Sequence, residues 1–155
     1  CEKLGADIVF NRKKEFPSSF IKDNGEPDYI AWNKVKKIIT KNGFKNIDYV
    51  FEHVGKETLG LSTYLLKRGG KVVICAATSG YLATIDLRFL WMQLKSIVGS
   101  HFANYNEATL ASELIFDDKI KPLIHSINHI DKLPEMMDKM YLGSTYGKIV
   151  FNHGE

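Results

Sequence analysis

Three short segments, EHVG at 52–55, AATSG at 76–80 and SHFANY at 100–105, follow or close apolar runs yet are small or polar in character. Glycines and small side chains let backbone amides come close to a ribose or a carboxamide, and Thr78 and Ser79 add hydroxyl partners. Glu52, His53, Val54 and Gly55 in the first segment, Ala77, Thr78 and Ser79 in the second, and His101 in the third are therefore candidate site residues. Arg12 sits just past a further apolar run and is a candidate as well, its planar guanidinium offering several donors in a fixed geometry. Any one of these segments alone reads equally as an ordinary turn. Their recurrence at corresponding places argues for a shared site, because open α/β sheets bind ligands outside the carboxyl ends of their strands.

The elements that must position these residues alternate along the chain. Residues 1–4 read as the last turn of a helix closed by Gly5, so the chain is expected to begin inside an element. Residues 6–10 are apolar with β-branched members, as a buried strand would be. A loop rich in Pro, Ser, Asn and Gly covers 16–27, followed by a helix that includes 32–39 and ends at Asn42-Gly43. A strand is expected at 47–52, a helix at 58–68 with Gly69-Gly70 beyond it, and a strand at 71–77. Asp86 caps a helix carrying Leu87, Leu90, Trp91 and Leu94, and a strand follows at 97–102. Asn106 then caps a helix reaching about Phe116, a short strand covers 123–127, and Asp131 caps a helix using Leu133, Met136, Met137 and Met140. A strand at 148–151 completes the pattern. Strands separated by helical stretches imply right-handed crossovers, and hence a mainly parallel, doubly wound α/β sheet with helices on both faces.

Composition narrows the class. The chain has 155 residues, 45% of them hydrophobic and 12% aromatic, enough for a core of ordinary domain size. It contains no run of the roughly 18 to 20 apolar residues that a membrane span needs, and its first ten residues have neither an initiator Met nor the shape of a secretory signal. Cys1 and Cys75 are its two cysteines, too few for a disulfide framework and without zinc-site spacing. A reducing, cytoplasmic location and no bound metal are the expectations. The net charge of +3 is mild. Lys34, Lys36, Lys37, Lys41 and Lys45 alternate with apolar residues at helical spacing, which describes a solvated helix face and not a nucleic-acid patch.

Four segments carry a resemblance: VFEHVGKETLG at 50–60, KRGGKVVICAATSGY at 67–81, DLRFLWMQLKSIVGSHFANYNEA at 86–108, and GKIVF at 147–151. Together they resemble the crotonyl-CoA carboxylase/reductases of the medium-chain dehydrogenase/reductase superfamily, along essentially the whole chain. The LWM and GSHFANY combination is specific to that branch, whereas a terminal GKIVF is common to many medium-chain reductases. Val54 stands where the family usually has proline.

The resemblance implies a Rossmann nucleotide-binding domain of which residues 1–155 are the C-terminal part, lacking its N-terminal glycine-rich unit and the separate catalytic domain. It implies NADPH as cofactor, an acyl-CoA substrate and carbon dioxide, with reductive carboxylation of crotonyl-CoA to ethylmalonyl-CoA and a homo-oligomeric full-length enzyme. Glu52, His53, Val54 and Gly55 would line the nicotinamide ribose. Ala77, Thr78 and Ser79 would meet the carboxamide, and Arg12 the adenosine 2′-phosphate. His101 would hold carbon dioxide, with Phe102 and Asn104 shaping the substrate side. His53 as a turn histidine, Arg12 as a solvated cation and His101 as a histidine tied to backbone are the competing readings. A reductase that protonates the enolate, and a detached module that catalyses nothing, remain alternatives for the whole.

Overall fold

The computed structural model describes residues 1–154. They form two compact units, Cys1–His101 and the residues from Phe102 onward.

In the first unit a 3-10 turn, Glu2–Leu4, closes on Gly5 in the left-handed conformation at φ 91°. A single helical turn, α1 (Arg12–Glu15), is capped by the Asn11 side chain. The helix α2 (Tyr29–Lys41) starts at Asp28, whose carboxylate accepts from the N–H groups of Ile30 and Ala31, two of the donors a helix start leaves unpaired. Ala31, Trp32 and Val35 share one face of α2 and are buried. The Trp32 indole N–H donates to the Phe20 carbonyl at 2.7 Å, which satisfies the polar atom of a nearly inaccessible ring. This bond also pins the 16–27 loop to the helix.

The strands β1 (Ile47–Glu52), β2 (Leu66–Ile74) and β3 (Ser96–Gly99) form a parallel sheet in that order, with α3 (Leu59–Leu65) and α4 (Leu87–Trp91) in the connections. Val50, Val72 and Ile97 lie side by side across the sheet and pack with Leu59 of α3 and Leu66. Val72 is fully inaccessible. The alternate positions Tyr49 and Phe51 of β1 point the other way and are each 70% exposed.

The second unit holds α5 (Tyr105–Phe116), β4 (Ile124–His129), a 3-10 turn at Ile130–Lys132, α6 (Leu133–Tyr141) and β5 (Lys148–Asn152). Here β4 and β5 pair in parallel, and Met136 of α6 is buried.

The alternation and the parallel pairing are as expected; several boundaries are not. Residues 6–10 form no strand, because among the described residues no neighbouring strand offers them a ladder. The helix expected at 58–68 stops at Leu65, and Leu66 already belongs to β2. The cap of α5 is Asn104 and not Asn106, with Glu107 completing a reciprocal capping box. α6 begins at Leu133 after a 3-10 turn capped by His129, so Asp131 lies inside that turn.

Candidate functional site

At the carboxyl ends of β1 and β2 two turns are joined edge to edge. Gly55 adopts φ 88°, a conformation costly for any other L residue, and a Cβ there would lie 2.7 Å from the Ala77 Cα and 2.9 Å from the Gly80 carbonyl oxygen. The absence of a side chain is thus what brings the 52–57 turn against the 77–80 turn. Backbone bonds hold them together: Thr78 N–H donates to the His53 carbonyl, Ser79 N–H to the Val54 carbonyl, and Lys56 N–H to the Gly80 carbonyl. The Ser79 hydroxyl donates to the Val54 carbonyl at 2.8 Å and accepts from Glu57 N–H at 3.1 Å.

Glu52 organises the first turn from inside. Its side chain is buried, and one carboxylate oxygen accepts from Val54 N–H, Gly55 N–H and the Thr58 hydroxyl while the other accepts from the Ser62 hydroxyl. Burial pushes its carboxyl up, but the bonds from Ser62, Thr58, Gly55 and Val54 outweigh it and hold the group below the ordinary glutamate value. Glu52 therefore faces inward, and the turn it shapes presents His53, which is exposed.

Arg12 lies across from this turn. Its guanidinium pairs with Glu57 at 3.1 Å and sits 5.3 Å from the centre of the Phe20 ring. A cavity of about 270 Å³ opens here, lined among others by Arg12, Phe20, Glu52, His53, Val54 and Ser62. The structure thus brings Arg12, Glu52, His53, Val54, Gly55, Ala77, Thr78 and Ser79 into one region of the first unit.

His101 also belongs to the first unit, but the strand expected to reach Phe102 ends at Gly99. Ser100 N–H still donates to the Ile74 carbonyl at 2.8 Å, so the backbone follows β2 for one more bond. Phe102 then turns to φ 52°, out of extended geometry, so His101 lies past the end of the strand and not within it. His101 is exposed. Phe102 and Asn104 open the second unit, Phe102 with 89% of its surface exposed and the Asn104 side chain engaged as the cap of α5.

Glu57, Thr58 and Ser62 were not anticipated. The last two serve Glu52 from six and ten positions along the chain. No periodicity marks such spacings, and a buried carboxylate needing four donors becomes visible once the turn is built.

A protein-family profile described as zinc-binding dehydrogenase matches residues 1–117, and the chain belongs to that family. Over 150 residues, 96% of its length, it is 39% identical to a protein of Streptomyces collinus named crotonyl-CoA reductase, covering 33% of that protein. It is 37% identical over 145 residues to a crotonyl-CoA carboxylase/reductase of Cereibacter sphaeroides, 89% of this chain and 34% of that one. A solved 2-octenoyl-CoA carboxylase reductase in complex with NADP and 2-octenoyl-CoA superposes with a TM-score of 0.81 at 32% identity, covering 99% of this chain and 36% of that structure. The chain thus spans about a third of the length of these relatives. Its fold is the C-terminal, Rossmann-like part of the medium-chain dehydrogenase/reductases. The family description names zinc, yet among the described residues no group of three His, Cys, Asp or Glu side chains gathers as a metal site. Among those residues no helix is long and apolar enough to cross a membrane.

Proposed function

We propose that the chain is part of an NADPH-dependent reductase that carries out the reductive carboxylation of an enoyl-CoA, crotonyl-CoA giving ethylmalonyl-CoA. The observation that carries this reading is the similarity to carboxylase/reductases along 89% and 99% of the chain, which includes the strand-end segments. The chemistry of the joined turns suits the cofactor. Arg12 offers a half-exposed guanidinium with a single nitrogen engaged, able to meet a phosphate at the mouth of the cavity. The 53–55 and 77–79 turns offer closely approached backbone where a ribose and a carboxamide would lie. The whole chain, 1–155, is read as belonging to the nucleotide-binding part, with these carriers in its first unit.

NADPH held by Arg12 and the 53–55 and 77–79 turns would supply the hydride that reduces the β-carbon of the enoyl thioester. The α-carbon of the resulting substrate enolate then forms a bond to carbon dioxide, and the new carboxylate remains on that carbon. The residues of this chain orient and exclude. Glu52 holds the 53–55 turn from within, and Ser79 ties it to its neighbour. His101 holds carbon dioxide by a hydrogen bond to one oxygen, and Phe102 and Asn104 are substrate-binding residues of the second unit. The enzyme is read as a cytoplasmic homo-oligomer.

The test is His101→Asn in the full-length protein, with ethylmalonyl-CoA and butyryl-CoA measured from crotonyl-CoA, NADPH and bicarbonate. A shift toward butyryl-CoA with NADPH oxidation retained is expected, and an unchanged product ratio rejects the role. A relative named simply as a crotonyl-CoA reductase favours a second reading, in which the enolate takes a proton. Butyryl-CoA as the sole product of the unaltered protein under bicarbonate would establish it.

A further inference from the structure

The Arg12 guanidinium is constrained on two sides. One nitrogen donates to the Glu57 carboxylate at 3.1 Å, and the group rests over the ring of Phe20, a residue only 2% exposed. Glu57 is set in place by its own backbone, whose N–H donates to the Ser79 hydroxyl, itself bonded to the Val54 carbonyl. The ion pair therefore ties α1 to the joined turns beside the cavity, with the cation on the cavity lining and the carboxylate on the 52–57 turn. Both side chains keep nearly half their surface in water, 48% and 45%, so the pair is hydrated and readily exchanged. The nearby Glu15 carboxylate accepts from Asn11 N–H at 2.6 Å, which leaves Glu57 as the acid paired with Arg12.

We propose that Glu57 is a cofactor-specificity residue: it competes with the 2′-phosphate of NADPH for Arg12 and so sets how far that cofactor is preferred over NADH. The inference rests on the NADPH reading above. A phosphate reaching Arg12 must displace the Glu57 carboxylate or share one cation with it, and sharing places two anions side by side. A 2′-hydroxyl carries no charge and can donate to the same carboxylate, as acidic residues do for ribose in dinucleotide-binding folds. One side chain thus opposes the phosphorylated cofactor and accommodates the other. Lys13 and Lys14 follow Arg12 in sequence and are exposed, adding two cations next to it along the chain.

The test uses the full-length protein and titrates NADPH and NADH by cofactor fluorescence for the unaltered enzyme, Glu57→Gln, Arg12→Ala and the double variant. Glutamine at this half-exposed site keeps the backbone bond to Ser79 and removes the charge alone. Glu57→Gln is expected to tighten NADPH by about three- to tenfold with no gain for NADH. That gain should shrink at 1 M salt, where the screening length falls to about 3 Å, and vanish in the Arg12→Ala background. An unaltered NADPH-to-NADH ratio, an equal change for both, or a gain that persists without Arg12 overturns the proposal while leaving the cofactor reading in place. Arg12→Ala with NADPH affinity unchanged overturns the Arg12 assignment and this proposal with it.

Discussion

At the scale of single residues, Glu52 and Lys95 show how burial sets what an ionisable group does. Glu52 answers four donors, so Glu52→Ala leaves two hydroxyls and two N–H groups without an acceptor. A destabilisation of about 3 kcal/mol or more is expected by denaturant titration of the full-length protein. Glu52→Gln should cost less, since an amide keeps one oxygen for the three donors on that side and the Ser62 hydroxyl can turn to accept. Because the folded state holds the Glu52 carboxyl below its ordinary value, its contribution is fully present above the unfolded-chain value of about 4.3 and is lost as pH falls below that. The stability gap between the unaltered protein and Glu52→Gln should therefore narrow on acidification; a gap constant down to pH 3 would contradict this. Lys95 works in the opposite sense. Its ammonium donates to the Thr63 and Tyr64 carbonyls at the end of α3, while burial, and then the charge of Lys36, push it down to about 8. The unfolded chain binds this proton more tightly, so the lysine's contribution to stability should rise as pH climbs from about 8 to about 10.4. Lys95→Met should remove that rise, measured as the denaturation midpoint against pH.

At the scale of elements, the joined turns depend on Gly55. An alanine there would carry a strained backbone at φ 88° and press its Cβ against Ala77 and the Gly80 carbonyl. Gly55→Ala is expected to separate the turns without unfolding the sheet behind them. Amide exchange should report it: protection at Thr78 and Ser79, which donate to the His53 and Val54 carbonyls, should fall at least tenfold, with Val72 little changed. Equal loss at all three would show that the glycine serves the whole unit. The aromatic group of Tyr29, Trp32, Tyr64 and Phe89 secures α2, α3 and α4 to one another independently of those turns.

At the scale of the whole molecule, the 155 residues cover about a third of their relatives and contain no G-x-G-x-x-G run to cradle a pyrophosphate. Prepared alone, they are expected to bind NADPH weakly and to turn over no crotonyl-CoA, as measured by titration and steady-state assay. The exposed faces of Tyr49 and Phe51, beside an edge of β1 that pairs with no strand among the described residues, should also make the isolated chain self-associate in sedimentation experiments. A sharp, concentration-independent monomeric thermal transition would contradict that.

The alternating pattern, the parallel sheet and the strand-end location of the candidate site were legible in the residues alone, because apolar periodicity, caps and glycines act over a few neighbours. Asp86 before α4 and the apolar run of β1 are such local signals. Residues 6–10 carry the same apolar signal and form no strand, since a strand is completed by a ladder that its own residues cannot supply. The inward commitment of Glu52, the Arg12–Glu57 pair and the end of β3 before His101 were decided by tertiary structure. Each depends on which groups from distant segments come within hydrogen-bonding reach, and for Arg12 and Glu57 that separation is 45 residues.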